Sequence, residues 1–169
     1  MSEISMYKIV DSGKLFSFTP NRQSVKLSVW TLVVVLSLVL LSIIFFHDIN
    51  RGMAILLVVL GPYLILHSLY DIFIRAEICY IFDQEDRIVY RKKPLFPTKK
   101  IMAFEEMVIF TSATGSYWHY AIGAKNNHLV KSYRISEDFK EGRKKSANES
   151  AYEIAILAKL YEMRQLPVR

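Results

Sequence analysis

The stretch Arg91-Lys92-Lys93-Pro94-Leu95-Phe96-Pro97-Thr98-Lys99-Lys100 sets five cations around an apolar Leu-Phe pair. Near an anionic leaflet each Lys or Arg contributes about 1 kcal/mol, screened by salt. The residues expected to meet lipid or a partner are therefore Arg91, Lys92, Lys93, Leu95, Phe96, Lys99 and Lys100. Arg143-Lys144-Lys145 offers a second patch. The same charges also serve as topology signals and as ordinary solvated surface, so both readings stay open. Nucleic acid is not an expected partner. A net charge of +6 is modest, and the cations lie where a bilayer already accounts for them.

The other groups with chemical potential are scattered. His47, His67, His119 and His128 show no H-E-x-x-H or Cys/His ligand spacing, so no metal site is expected. Ser112, Ser116 and His119 are close in sequence, but a nucleophile also needs an orienting acid and an oxyanion site. Neither G-x-x-x-x-G-K-[ST] nor G-x-G-x-x-G occurs. No catalytic residue and no cofactor is expected; the chain does not read as an enzyme. His67 and Asp71 fall four apart on one helix face beside an apolar run. An ionisable pair at that depth raises a functional suspicion, with a water-exposed or hairpin-internal hydrogen bond as the plainer account.

What must position these residues is a pair of apolar runs, Leu27–Phe46 and Met53–Tyr70, joined by His-Asp-Ile-Asn-Arg-Gly. Twenty residues without an ionisable side chain, at about 1.5 Å each, span a bilayer core of roughly 30 Å. The second run reaches that length when extended through Asp71 to Ile74. Six connecting residues hold no domain, so the helices form an antiparallel hairpin (27–46 and 53–74). A soluble helix keeps a polar stripe, and Leu32–Leu41 has none. The first run is too long for a signal peptide and ends in Ile-Ile-Phe-Phe, not in small residues. Gly61-Pro62 predicts a kink in the second helix, shaped against Ser37 or Ser42 of the first.

Cations set the orientation. Lys8, Lys14, Arg22 and Lys26 precede the hairpin, and Arg75, Arg87, Arg91, Lys92 and Lys93 follow it; the loop carries Arg51 beside Asp48. Both termini are therefore expected to be cytoplasmic. The single cysteine, Cys79, fits a reducing compartment.

The remaining 75–169 reads as strands followed by a helix. Ala76–Phe82 and Arg87–Arg91 alternate across the turn Asp83-Gln84-Glu85-Asp86, and Pro94 and Pro97 end the pattern. Ile101–Phe104, Met107–Thr111, Tyr117–Ala124 and Leu129–Ile135 are further strands, with turns at Thr114-Gly115 and Lys125-Asn126-Asn127-His128. Glu137–Lys145 reads as a charged, solvated loop. Ser146-Ala147-Asn148-Glu149 matches a capping box. From there Ala151, Ile154, Ala158 and Tyr161 recur at helical spacing with Leu157 beside them, opposite Glu149, Glu153 and Arg164, until Pro167. The helix is placed at 147–165. Tyr7–Val10 and Lys14–Thr19, across Asp11-Ser12-Gly13, read as two short strands. Such a pair is marginal alone, so residues 1–26 are expected to join the later sheet.

The order of hairpin, Tyr80–Tyr90 strand pair with acidic turn, Pro-containing connection, Phe104-Glu105-Glu106-Met107-Val108, and closing helix ending in Leu-Pro-Val resembles bacterial membrane proteins with a pleckstrin-homology-like domain. It is also similar to the chloroplast and cyanobacterial photosystem I assembly factor with an N-terminal hairpin, though fold analogy transfers no function. The resemblance implies an α+β membrane protein: a transmembrane hairpin inserted in a β roll of about seven strands, capped by Ala147–Gln165. Two functions are expected of such a chain. One is a non-enzymatic interaction module of assembly-factor or toxin-immunity type in the bacterial cytoplasmic membrane, presenting Tyr117, Trp118 and Tyr120. The other is a regulator that senses anionic lipid through 91–100.

Overall fold

The computed structural model describes residues 7–21, 24–45, 50–125, 131–142 and 146–165. Arg22, the last residue of the first apolar run (Phe46), the first half of the connecting loop (His47, Asp48, Ile49), the turn at Asn126-Asn127-His128, the first two residues of the expected strand Leu129–Ile135, the patch Arg143-Lys144-Lys145 and Pro167 lie outside them. Helices α1 (Ser24–Ile44) and α2 (Arg51–Tyr70) follow the two apolar runs. Asn50 caps α2, its side chain accepting from the Gly52 amide at 3.3 Å, which satisfies one orphan donor of the first turn. The hydroxyls of Thr31, Ser37 and Ser42 donate to carbonyls of their own helix at 3.0, 2.9 and 2.7 Å. Both helices are long and apolar enough to cross a membrane, and only 11% of each apolar window is buried. That little burial separates them from the core helix of a globular domain, whose apolar face would be covered.

The two helices meet where Gly61 faces Val39: a Cβ built on the glycine stands 3.5 Å from Val39 Cγ2. Pro62 lies inside α2 without ending it, beside Val39, Ser42 and Ile43 of α1. Of the two serines expected to face the proline, Ser42 lines the same groove as Pro62. α2 then widens into a π turn over Asp71–Arg75, closed by the Ala76 amide on the Asp71 carbonyl at 2.9 Å.

Strands β1 (Val10–Asp11), β2 (Leu15–Phe18), β3 (Cys79–Asp83), β4 (Ile88–Lys92) and β5 (Lys99–Ala103) form one antiparallel sheet in that order. α1 and α2 therefore leave and re-enter between the neighbouring strands β2 and β3. Pairing of Phe16 with Phe82, Phe82 with Val89 and Val89 with Met102 carries one apolar row across the sheet, because residues directly opposite share a face. A second sheet holds β6 (Met107–Thr114) and β7 (Tyr117–Ala124), with β8 (Tyr133–Arg134) and β9 (Phe139–Lys140) both on the other edge of β7. Between the sheets lie Phe18, Tyr80, Phe82, Phe104, Ile122 and Ile135, all fully buried or nearly so. Phe18 and Phe82 stack at 5.7 Å. Nine short strands are present among the described residues, more than the seven or so anticipated; β9 lies in the segment expected to be a loop.

Two expectations are corrected. Glu137–Lys145 is not all solvated: Ser136, Glu137 and Phe139 are buried. The Ser136 hydroxyl accepts from the Tyr120 amide at 2.8 Å, so the interruption is stitched to β7 and the chain resumes as β9. The second concerns the C-terminal helix. It runs as α3 (Ala147–Tyr152), a π turn over Glu153–Leu157, and α4 (Ala158–Gln165), capped by Ser146, whose hydroxyl accepts from the Glu149 amide at 3.1 Å. Its inner face is Tyr152, Ile156, Leu157, Leu160 and Met163, with Glu149 also buried. Ile154 is 76% exposed and Tyr161 45%. Both stripes have helical spacing; the π turn resets the phase, and burying the larger side chains removes more apolar area from water.

Candidate functional site

The basic stretch forms the tip of the β4–β5 hairpin. β4 extends through Lys92, β5 starts at Lys99, and Arg91 pairs with Lys99. Pro94 and Pro97 lack the amide a ladder needs, so the six residues between are released from the sheet. The Phe96 amide donates to the Lys93 carbonyl at 3.2 Å, and Leu95 turns the chain with φ of +64°, a region bulky residues rarely enter. The side chains of Leu95 and Phe96 are 90% and 60% exposed. Lys92, Lys99 and Lys100 are exposed and Lys93 half-buried.

Arg91 departs from this group. It pairs directly with Tyr80, which puts it on the inner face, and its guanidinium lies over the rings of Tyr80 at 5.9 Å and Tyr133 at 5.6 Å. Its Nε is buried without a hydrogen-bond partner among the described residues, and the ring faces compensate its charge. Burial pushes the Tyr80 phenol up to about 12, with the Arg91 charge opposing.

Register decides where the tip sits. Phe18 pairs with Tyr80, and Cys79 with Lys92; the strand ends joined to α1 and α2 are therefore the ends from which the tip projects. Lys8 bonds both oxygens of Glu77 at 2.8 Å there. Asn21 donates to the Arg75 carbonyl at 3.3 Å. His67 and Arg75 both approach the Asp71 carboxylate, at 3.6 and 3.5 Å, so the His67–Asp71 pair is a three-membered group at the foot of α2. The opposite end of the sheet is acidic: Asp11, Asp83, Glu85, Asp86 and Glu105 cluster around its turns, with Lys14–Glu85 and Arg87–Glu105 contacts of 2.6 Å. The Arg87 guanidinium, bonded to Glu105, holds that carboxyl below its ordinary value.

The second sheet holds a polar group that sequence reading missed. Asp138 meets His119 at 3.3 Å and Arg134 at 3.0 Å, while Arg134 Nε donates to the Ser136 carbonyl at 2.7 Å. Ser112 lies opposite His119 in register. With Arg134 sharing the same carboxylate, the group acts as a staple between β7 and the β8–β9 link. Local spacing carries no signal for it: Arg134 and Asp138 meet because the chain bends between β8 and β9, both of which pair with β7. Tyr120 donates to Glu153 at 2.8 Å and Tyr152 to the Ile135 carbonyl at 2.8 Å, tying the helix to both. Burial and the neighbouring Glu137 push the Tyr7 phenol up. No group of three His, Cys, Asp or Glu able to hold a metal occurs among the described residues.

Compared with known proteins, the chain matches no family model, no curated protein and no solved structure.

Proposed function

We propose that this chain is a membrane-anchored, non-enzymatic interaction module of assembly-factor or toxin-immunity type in a bacterial cytoplasmic membrane. α1 and α2 span the bilayer with both termini cytoplasmic, and residues 1–26 and 75–169 build one pleckstrin-homology-like domain at its surface. The observation that carries this reading is covalent. Residues 19–23 and 76–78 join adjacent strands directly to the two exposed apolar helices, so the sheet cannot leave the surface that holds them. With the N-terminal pair counted and β8 and β9 taken as one interrupted strand, eight strands are capped by α3–α4, near the seven or so that the resemblance implies. A protein partner is supported by Ile154 and Tyr161, apolar side chains standing exposed on the capping helix.

Reporters test the topology. One fused after Arg169 should read cytoplasmic and one inserted at Asn50 external, since flanking cations outnumber those of the loop. Extraction of the chain from membranes by carbonate, or an external C-terminal reporter, overturns the reading. A photocrosslinker at Ile154 should give a discrete adduct in cells and one at Glu85 should not. A second reading, a regulator sensing anionic lipid through 91–100, is favoured by one observation: those residues project from the end of the sheet joined to the helices.

A further inference from the structure

We infer that the β4–β5 tip is a second membrane anchor: Leu95 and Phe96 enter the headgroup layer of an anionic bilayer while Lys92, Lys93, Lys99 and Lys100 neutralise lipid phosphates. This rests on α1 and α2 occupying that same bilayer. Three independent features of the tip support it.

The first is reach. Cys79 lies four residues beyond Arg75, the last residue of the π turn, a path of at most about 14 Å. Lys92 is its partner across the ladder, so the tip begins beside the point where the chain emerges from the helices. Covalent tethering keeps the local concentration of lipid high, and a weak contact is then well populated.

The second is the apolar pair. Leu95 stands 90% exposed in a left-handed backbone conformation, and Phe96 follows it outward. Among the described residues little covers either, Phe96 being 60% exposed. A hydrophobic pair flanked by cations suits an interface that offers both acyl boundary and phosphate. A folded cytosolic acidic peptide would match the charge and leave the pair wet.

The third is how charge is sorted. Of the five cations, the arginine is withdrawn onto Tyr80 and Tyr133, leaving four lysines. A compact ammonium on a flexible stem fits a fluid headgroup layer, which has no fixed geometry for a bidentate fork. The acidic turns lie at the far end of the same sheet. An anionic surface draws the lysine end and repels the other, so docking sets the domain's tilt with Asp83–Asp86 pointing away.

The test uses the full chain in lipid nanodiscs of phosphatidylcholine alone or mixed with phosphatidylglycerol. In a Cys79→Ser background, an environment-sensitive fluorophore is attached at Thr98→Cys, and in separate samples at Leu41→Cys and Glu85→Cys. In anionic discs the label at 98 should shift to the blue and be quenched by doxyl lipid. High salt should abolish both effects, as should Lys92→Gln/Lys93→Gln/Lys99→Gln/Lys100→Gln; Leu95→Ser/Phe96→Ser should abolish the doxyl quenching. The label at 85 should stay aqueous throughout, and that at 41 should be lipid-quenched in both disc types. An aqueous label at 98 in anionic discs, with 41 still lipid-quenched, overturns the second anchor and leaves the membrane reading intact. Equal docking in neutral discs, unmoved by the lysine changes, overturns the lipid-charge basis. A label at 41 that lipid does not quench overturns both.

Discussion

In α1 and α2, leucines and valines such as Leu40, Val58 and Leu66 stand exposed, whereas in the β domain Phe18, Phe82 and Val89 are fully buried. One chain thus treats the same class of side chain in opposite ways. The domain gathers aromatic rings into one cluster between two sheets, where removal from water supplies the driving force. The helices meet along a narrow seam at Gly61 and Val39 and turn most of their apolar surface outward. The hydroxyls of Thr31, Ser37 and Ser42 are already bonded within α1, so that stretch of surface asks little of water. The contrast indicates that cohesion in the domain depends on its core, while cohesion of the hairpin depends on close approach of two backbones.

The largest effect should come from breaking the domain side. Phe82→Ala removes a ring stacked on Phe18 and in contact with Phe104, a loss of about 3–5 kcal/mol. Urea unfolding in detergent, followed by Trp118 fluorescence in a Trp30→Phe background, should shift by that amount. Leu40→Ala, at an exposed helix position, should leave the same transition unmoved; an equal shift would erase the distinction between the two regions. Next comes the hairpin seam. Gly61→Leu overpacks the contact with Val39 at about 1–3 kcal/mol, read as weaker resistance of the helix pair to SDS, with the urea transition of the domain unchanged. Gly61→Ala should be tolerated, since 3.5 Å is ordinary contact for a Cβ.

A smaller effect, of opposite sign, is expected at the tip. Leu95→Asn places a residue that accepts the left-handed region at φ of +64° and should raise domain stability by up to about 1 kcal/mol. The smallest effect is one of pH. The Gly13 amide at 2.9 Å, and then Lys159, hold the Asp11 carboxyl below its ordinary value of 3.8. A depressed folded value means the stabilisation is complete above about pH 3.8 and fades as pH falls through the folded value. Asp11→Asn should lower the neutral plateau of the melting-temperature profile slightly and converge with the unsubstituted protein in acid, which flattens that acid limb.

Local chemistry made several elements legible. The two long uncharged runs, the Asp83–Asp86 turn, the boundaries of Tyr117–Ala124 and the Ser146 cap each depend on contacts within a few residues. Asp83, for example, accepts from the Glu85 and Asp86 amides at 2.9 and 3.2 Å. For the candidate site, local reading supplied the five cations and the Leu-Phe pair but could not tell Arg91 from its neighbours. That distinction needs Tyr80 and Tyr133, which are brought to it from β3 and β8.

By itself, then, the amino-acid order determined two exposed-length apolar helices, a run of short strands, a capped helix and a charged tip, because hydropathy, proline and capping act at short range. The tertiary structure alone decided which stripe of the last helix faces inward, since Ile154 and Ile156 are equally apolar and only the space beneath the sheets chooses between them. It alone stitched Ser136–Lys140 into β7 through pairings across many residues. And it alone withdrew Arg91 from the lysines, because the rings of Tyr80 and Tyr133 that hold its guanidinium come from β3 and β8 and meet only once both sheets are assembled.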